Sequence, residues 1–126
     1  VKKTAWELIA QAKGRVENLT PDQVAEEMEA GALLVDVREL QERKEASIPG
    51  SIFAPRGMLE FYADPTLPRH KEEFTFDRRI ILHCAVGGRS ALAADTLQQM
   101  GYTNVAHLDG GIKAWQESGR PTEPGE

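Results

Sequence analysis

Two short stretches, Ala32-Leu33-Leu34-Val35-Asp36-Val37 and Ile80-Ile81-Leu82-His83, carry apolar side chains on consecutive rather than alternate residues. A strand sends successive side chains to opposite faces, so such a run needs cover on both, as in a parallel sheet between layers of helices. The surrounding segments supply those helices. Ala5, Ile9, Ala12 and Val16 form an apolar stripe that predicts a helix over residues 4–16. Leu19-Thr20-Pro21-Asp22-Gln23 reads as a second helix start, with Thr20 as N-cap, Pro21 at the first helical position, Gln23 closing a capping box and Leu19 placed to staple Val24. Gly31 ends that helix after Ala30. Residues 38–45 suit a solvated helical turn, and 57–63 a brief helix. A longer helix follows Gly88 as far as Met100, and a last one carries Ile112 and Trp115. Short strands are expected at 52–54 and 105–108. Strands alternating with helices predict one α/β domain with a largely parallel central sheet and helices on both faces. Residues 122–126 form a polar tail, expected to fray.

Composition narrows the functions open to such a domain. Fifteen basic and 20 acidic residues give net −5, against the basic excess of a nucleic-acid binder. No apolar run approaches the ~18 residues of a spanning helix, so no membrane partner is expected. Cys84 is the one cysteine, which excludes an intrachain disulfide and a multi-cysteine zinc site and fits a reducing, cytoplasmic compartment. The chain as given starts at Val1, so removal of a signal peptide stays open.

The stretch Ile80 to Met100 delivers Cys84 to the carboxyl end of a buried strand, where ligands of open α/β sheets sit. A short loop, Ala85-Val86-Gly87-Gly88, leads into a helix that carries Arg89 and Ser90. Helix-terminal and loop NH groups lack internal partners and favour negative charge, and a thiolate there can titrate between roughly 3.5 and 7.5 instead of about 8.5. Gly87 and Gly88 allow a nest with no Cβ in the ligand's way. His83 points to the opposite face from Cys84 and reads as a hydrogen-bonded strand residue rather than a general base.

Cys84-Ala85-Val86-Gly87-Gly88-Arg89-Ser90 closely resembles the active-site loop of rhodanese-family sulfurtransferases. Leu34-Val35-Asp36-Val37-Arg38-Glu39, Ile48-Pro49-Gly50, and Gly101-Tyr102 through Leu108-Asp109-Gly110-Gly111 with Ala114-Trp115 resemble the family's other landmarks in their usual order. The resemblance implies a rhodanese-like three-layer fold over residues 16–121, with a central, mostly parallel five-stranded sheet and a helical extension at 1–15. It also implies chemistry: Cys84 would take the outer sulfur of thiosulfate or a similar small anionic donor as a persulfide and pass it to cyanide, a thiol or a reduced dithiol protein. Neither metal nor organic cofactor is expected. The backbone from Ala85, Val86, Gly87 and Gly88 to Arg89, with Ser90, would bind the substrate. Arg56, leaving a neighbouring strand, would add positive field, with Arg69 and Lys71 read as surface charges.

Three features qualify the match. Ala46-Ser47-Ile48-Pro49-Gly50-Ser51 lacks the family's usual histidine before Ile-Pro-Gly. Arg38 and Glu42 stand at the positions of a family ion pair with helical spacing, and Asp36 reads as a structural acceptor. Related phosphatases and arsenate reductases resemble a pattern with one more residue between Cys and Arg than the four found here. A third reading is a non-catalytic or slow sulfur-carrier or redox-sensing module that keeps Cys84.

Overall fold

In a computed structural model describing residues 2–126, the two apolar runs lie side by side in the middle of a five-stranded sheet. The strands are β1 (Glu17–Leu19), β2 (Leu33–Asp36), β3 (Ile52–Phe53), β4 (Ile80–His83) and β5 (Val105–Leu108). Their order is β1-β5-β4-β2-β3, and every neighbouring pair is parallel. Side chains of β2 and β4 divide by alternation. Leu33, Val35, Ile80, Leu82 and Cys84 enter one core layer, while Leu34 and Ile81 enter the other. Helices α4 (Leu59–Ala63) and α5 (Gly88–Gln99) cover the first layer. The second lies under α2 (Pro21–Glu29) and α6 (Gly111–Glu117). This is the rhodanese fold that the sequence landmarks imply, with an all-parallel sheet.

Helix α1 (Ala5–Lys13) is shorter than its stripe predicts, because Gly14 caps it and the chain turns at once into β1. The strand itself has no counterpart in the sequence reading. Only Leu19 of its three residues is buried, so no period shows; pairing with β5 through Glu17↔Ala106 and Leu19↔Leu108 is what makes it a strand. The polar tail is ordered rather than frayed. Ser47 and Glu123 exchange both backbone hydrogen bonds, at 2.6 and 2.9 Å, and the Gly125 amide donates to the Arg43 carbonyl at 3.0 Å. Val1, counted in the expected extension, lies outside the described residues.

Asp36 is fully buried at the end of β2, as the structural acceptor expected of it. Arg38 forks onto it at 3.0 Å through both Nε and Nη2, and Arg43 adds a contact at 3.2 Å. Burial pushes the Asp36 carboxyl up; the Arg38 hydrogen bonds and the neighbouring charges outweigh it and hold the group below the ordinary carboxylate range. The expected Arg38–Glu42 pair does not form. Helix α3 (Leu40–Glu45) begins only at Leu40, so the i,i+4 rule never applies to Arg38, and fully buried Asp36 needs a cation more than half-buried Glu42 does. His83 donates Nδ1–H to the Cys84 carbonyl at 3.2 Å, on the face away from the thiol. Burial pushes it down to about 4, so it is neutral at pH 7.

Asp36→Asn keeps the shape and strips two buried arginines of their counter-charge. Loss of one partner of a buried ion cluster costs about 3–5 kcal/mol, so urea denaturation at pH 7 should show a clearly lower midpoint. A midpoint equal to that of the unsubstituted protein would mean the cluster holds nothing together.

Candidate active site

Cys84 leaves central strand β4 at its carboxyl end and is 1% exposed. The loop beyond it is held from behind. Backbone amides of Ile112 and Lys113, at the start of α6, donate to the Cys84 and Ala85 carbonyls at 2.9 and 3.1 Å. In a trans peptide the N–H points opposite to its carbonyl, so the amides of Ala85 and Val86 are turned toward the open side of the loop. Gly111 makes this close approach feasible. It has φ +63°, and a Cβ there would strike the Cys84 and Ala85 carbonyl groups. Gly87, at φ +112°, turns the chain into α5 and donates its own amide to Cys84 Sγ at 3.1 Å.

Burial pushes the Cys84 thiol up, but hydrogen bonds from Ser90 Oγ and from the backbone amides of Ser90, Gly87 and Val86 outweigh it. The net direction is down from the ordinary thiol value. Ser90 Oγ lies 3.5 Å from Sγ and 3.0 Å from His107 Nδ1. Asn18 fixes the tautomer of that histidine. Its amide nitrogen donates to the Lys13 and Val16 carbonyls at 3.0 and 3.1 Å, leaving Oδ1 to accept from His107 Nε2–H at 2.7 Å. Burial pushes His107 down to about 4, so the ring is neutral and its bare Nδ1 accepts the Ser90 hydroxyl. The single Ser90 proton thus has two acceptors in reach, His107 when Cys84 is a thiol and Sγ when it is a thiolate.

The remaining expected residues divide. Val86, Gly88 and Arg89 line a pocket of about 270 Å³ above the thiol. Arg89 does not offer a free cation: its fork meets Glu42 at 2.8 and 2.9 Å, and that pairing pulls Glu42 down to about 2. Arg56 is not brought to the pocket. Its guanidinium is taken by Glu60, one turn on, at 2.8 Å and by Thr96 of α5 at 3.2 Å. The sequence reading missed Glu42 as the partner of Arg89, and also the Asn18–His107–Ser90 chain. It missed the opposite wall of the pocket too, which Trp6, Ile9 and Lys13 of α1 supply. For His107 a signal existed, since it shares the face of β5 that carries Val105, the Cys84 side of the sheet.

The profile of the Rhodanese-like domain matches residues 20–118. The chain belongs to the rhodanese-like family. It is 35% identical to a sulfurtransferase of Allochromatium vinosum over 71% of its own length and 76% of that protein's. A protein of unknown function from Rhodopseudomonas palustris, described as a possible tyrosine phosphatase, superposes with TM-score 0.91 at 38% identity, over 98% of this chain and 96% of that one. A thiosulfate sulfurtransferase from Pseudomonas aeruginosa superposes with TM-score 0.79 at 26% identity; the match takes in 97% of this chain and 23% of that one. The profile match begins after α1 and β1, so one wall of the pocket lies outside the matched residues.

The rate of Cys84 alkylation by iodoacetamide, followed against pH, should titrate below the ordinary thiol value of about 8.5. A lowered value means that the thiolate, and with it the rate, persists to lower pH. In Gly111→Ala the loop must move off α6, and the titration should rise toward the ordinary value. An unshifted titration in that variant would show that the amides do not depend on α6.

Proposed function

We propose that this rhodanese-like protein is a sulfurtransferase that carries sulfane sulfur as a persulfide on Cys84. The observation that carries the reading is the thiol itself, lowered in pKa and set under a ring of inward-facing amides. The Cys84 thiolate attacks the outer sulfur of a small anionic donor such as thiosulfate. A new sulfur–sulfur bond forms, the old one breaks, and sulfite leaves with the electron pair. The persulfide keeps the negative charge within reach of the Gly87 amide and the loop NH groups, which is the electrostatic stabilisation this transfer needs. A thiol, cyanide or a reduced dithiol protein then attacks the outer sulfur and regenerates the thiolate. The steps are covalent displacements at sulfur and call for neither metal nor organic cofactor.

Phosphatase chemistry, the description given to the Rhodopseudomonas protein, is disfavoured by two features. Only four residues separate Cys84 from Arg89, which makes a tight ring, and the Arg89 fork that would clasp a phosphoryl group is closed on Glu42. Intact mass after prolonged incubation with excess thiosulfate should show one added sulfur atom, lost again on treatment with cyanide and never gained by Cys84→Ser. Hydrolysis of an aryl phosphate without sulfur loading would reverse the assignment.

A further inference from the structure

Cys84, Ser90 and His107 form a buried run of polar groups, and the displacement steps at sulfur make no use of its histidine. Hydrogen bonds order this run from its far end. The Asn18 amide nitrogen is committed to the Lys13 and Val16 carbonyls, so its Oδ1 holds the His107 proton on Nε2. His107 Nδ1 is left as an acceptor, with Ser90 Oγ in reach at 3.0 Å. Ser90 Oγ in turn lies 3.5 Å from Sγ, where it can accept from an S–H or donate to a thiolate. Only the hydroxyl hydrogen has a choice. With Cys84 as a thiol, the S–H points to Oγ and the hydroxyl points to His107. With Cys84 as a thiolate, the hydroxyl swings to Sγ and Nδ1 loses its partner.

His107 serves here as a hydrogen-bonding group rather than as a charge. Lys13 of α1 and Asp109, just beyond β5, are the charged groups that face it, and they pair with each other at 3.3 Å. Burial pushes the ring down to about 4, so it is neutral throughout the range in which a thiol titrates. Arg89 of α5, the cation that acts on Sγ, is paired with Glu42 of α3. His83 is neutral and turned to the other face of the sheet. A ring that accepts from Ser90 only while Sγ is uncharged stabilises that form of Cys84, and so opposes the amides that lower the thiol. The opposition has a chemical benefit, because the nucleophilicity of a thiolate falls with its pKa and a thiol titrating near ambient pH attacks best.

We propose that His107 is a positioning residue that acts on Cys84 through the Ser90 hydroxyl, accepting its hydrogen bond whenever Sγ carries no charge and surrendering it when Sγ is a thiolate. The persulfide half of this cycle rests on the sulfurtransferase reading. When sulfur is loaded, the new bond at Sγ leaves the negative charge on the outer sulfur, and the hydroxyl returns to His107. When an acceptor takes the outer sulfur, the bond between the two sulfurs breaks, its electron pair stays on Sγ, and the hydroxyl turns to meet it. No proton leaves Ser90 in either step. His107 weights the uncharged Sγ against the thiolate, and Asn18 makes this possible by fixing the tautomer.

The test follows alkylation of Cys84 by iodoacetamide against pH in the full chain. His107→Gln keeps a donor for Asn18 and removes the acceptor for Ser90, so the titration should fall by about half to one pH unit, the scale of one neutral hydrogen bond. Ser90→Ala should raise the titration, and adding His107→Gln to Ser90→Ala should change nothing further. A titration that stays or rises in His107→Gln, or a shift of equal size with and without the Ser90 hydroxyl, would overturn the proposal. A measurement on the unsubstituted protein serves where a variant fails to fold. The imidazole nitrogen resonance of His107 Nδ1 should move along the alkylation curve, while that of Nε2, held by Asn18, stays in place. An Nδ1 resonance indifferent to ionisation of the thiol would also overturn the proposal. After loading with thiosulfate, Nδ1 should return to its thiol-state position at the same pH. One added sulfur by intact mass without that return would overturn the persulfide half. No added sulfur would overturn the sulfurtransferase reading and leave the link between His107 and the thiol standing.

Discussion

Two backbone hydrogen bonds, from Ile112 and Lys113 to the Cys84 and Ala85 carbonyls, decide which way the loop faces. Amides and carbonyls of one peptide point in opposite directions, so a loop whose carbonyls are engaged behind presents its amides in front. Left free, the same residues could turn either set of dipoles toward the thiol, and the wrong set would raise its pKa. The sheet contributes by placing β4 and β5 side by side, which brings α6 close enough to reach the loop. Gly111 contributes by having no side chain at the point of contact. The orientation of the amides around the thiol therefore depends on the packing of the final helix, well away from the thiol in sequence.

Fixed dipoles rather than free ions dominate the electrostatics of this site. Arg89 is spent on Glu42, Lys13 on Asp109, and the buried arginines of the β2 end on Asp36. Facing the Cys84 sulfur are the Gly87 amide, the loop NH groups, a hydroxyl proton shared with His107, and the Arg89 guanidinium, which acts on the sulfur while paired with Glu42. Such groups are held in orientation by the fold and need little rearrangement to face a charge on the sulfur. They are also insensitive to salt, unlike a steering field from unpaired surface cations.

Much of this architecture is legible in the chain because its signals are local. Consecutive apolar residues mark β2 and β4, Thr20 and Gln23 mark the start of α2, and the glycines after Cys84 mark the turn from β4 into α5; all of these elements form where they are read. The failures are contacts between distant segments. Edge strand β1 has one buried residue in three and is defined by β5. Arg38 and Glu42 have helical spacing without sharing a helix, so a rule about neighbours on one face paired the wrong residues. Arg56 has the charge for the site but finds a carboxylate within its own turn first. Of the stripe Ala5, Ile9 and Ala12 only Ala12 is buried, and the stripe is silent on what packs against it and how far along α1 that cover reaches.

Placement of α1 separates two kinds of information along the polypeptide. Strand β4, the loop and α6 hold Cys84 and the amides around it, and all of them fall within the residues that the Rhodanese-like domain profile matches. One wall of the pocket above Cys84 belongs to a segment before that span, joined to it through one short edge strand and a few polar ties to α5. Substitutions on the outer face of α1 therefore reshape a pocket wall without altering the backbone hydrogen bonds that hold the Cys84 loop. For this chain, the boundary of the span matched by the family profile is not the boundary of the pocket.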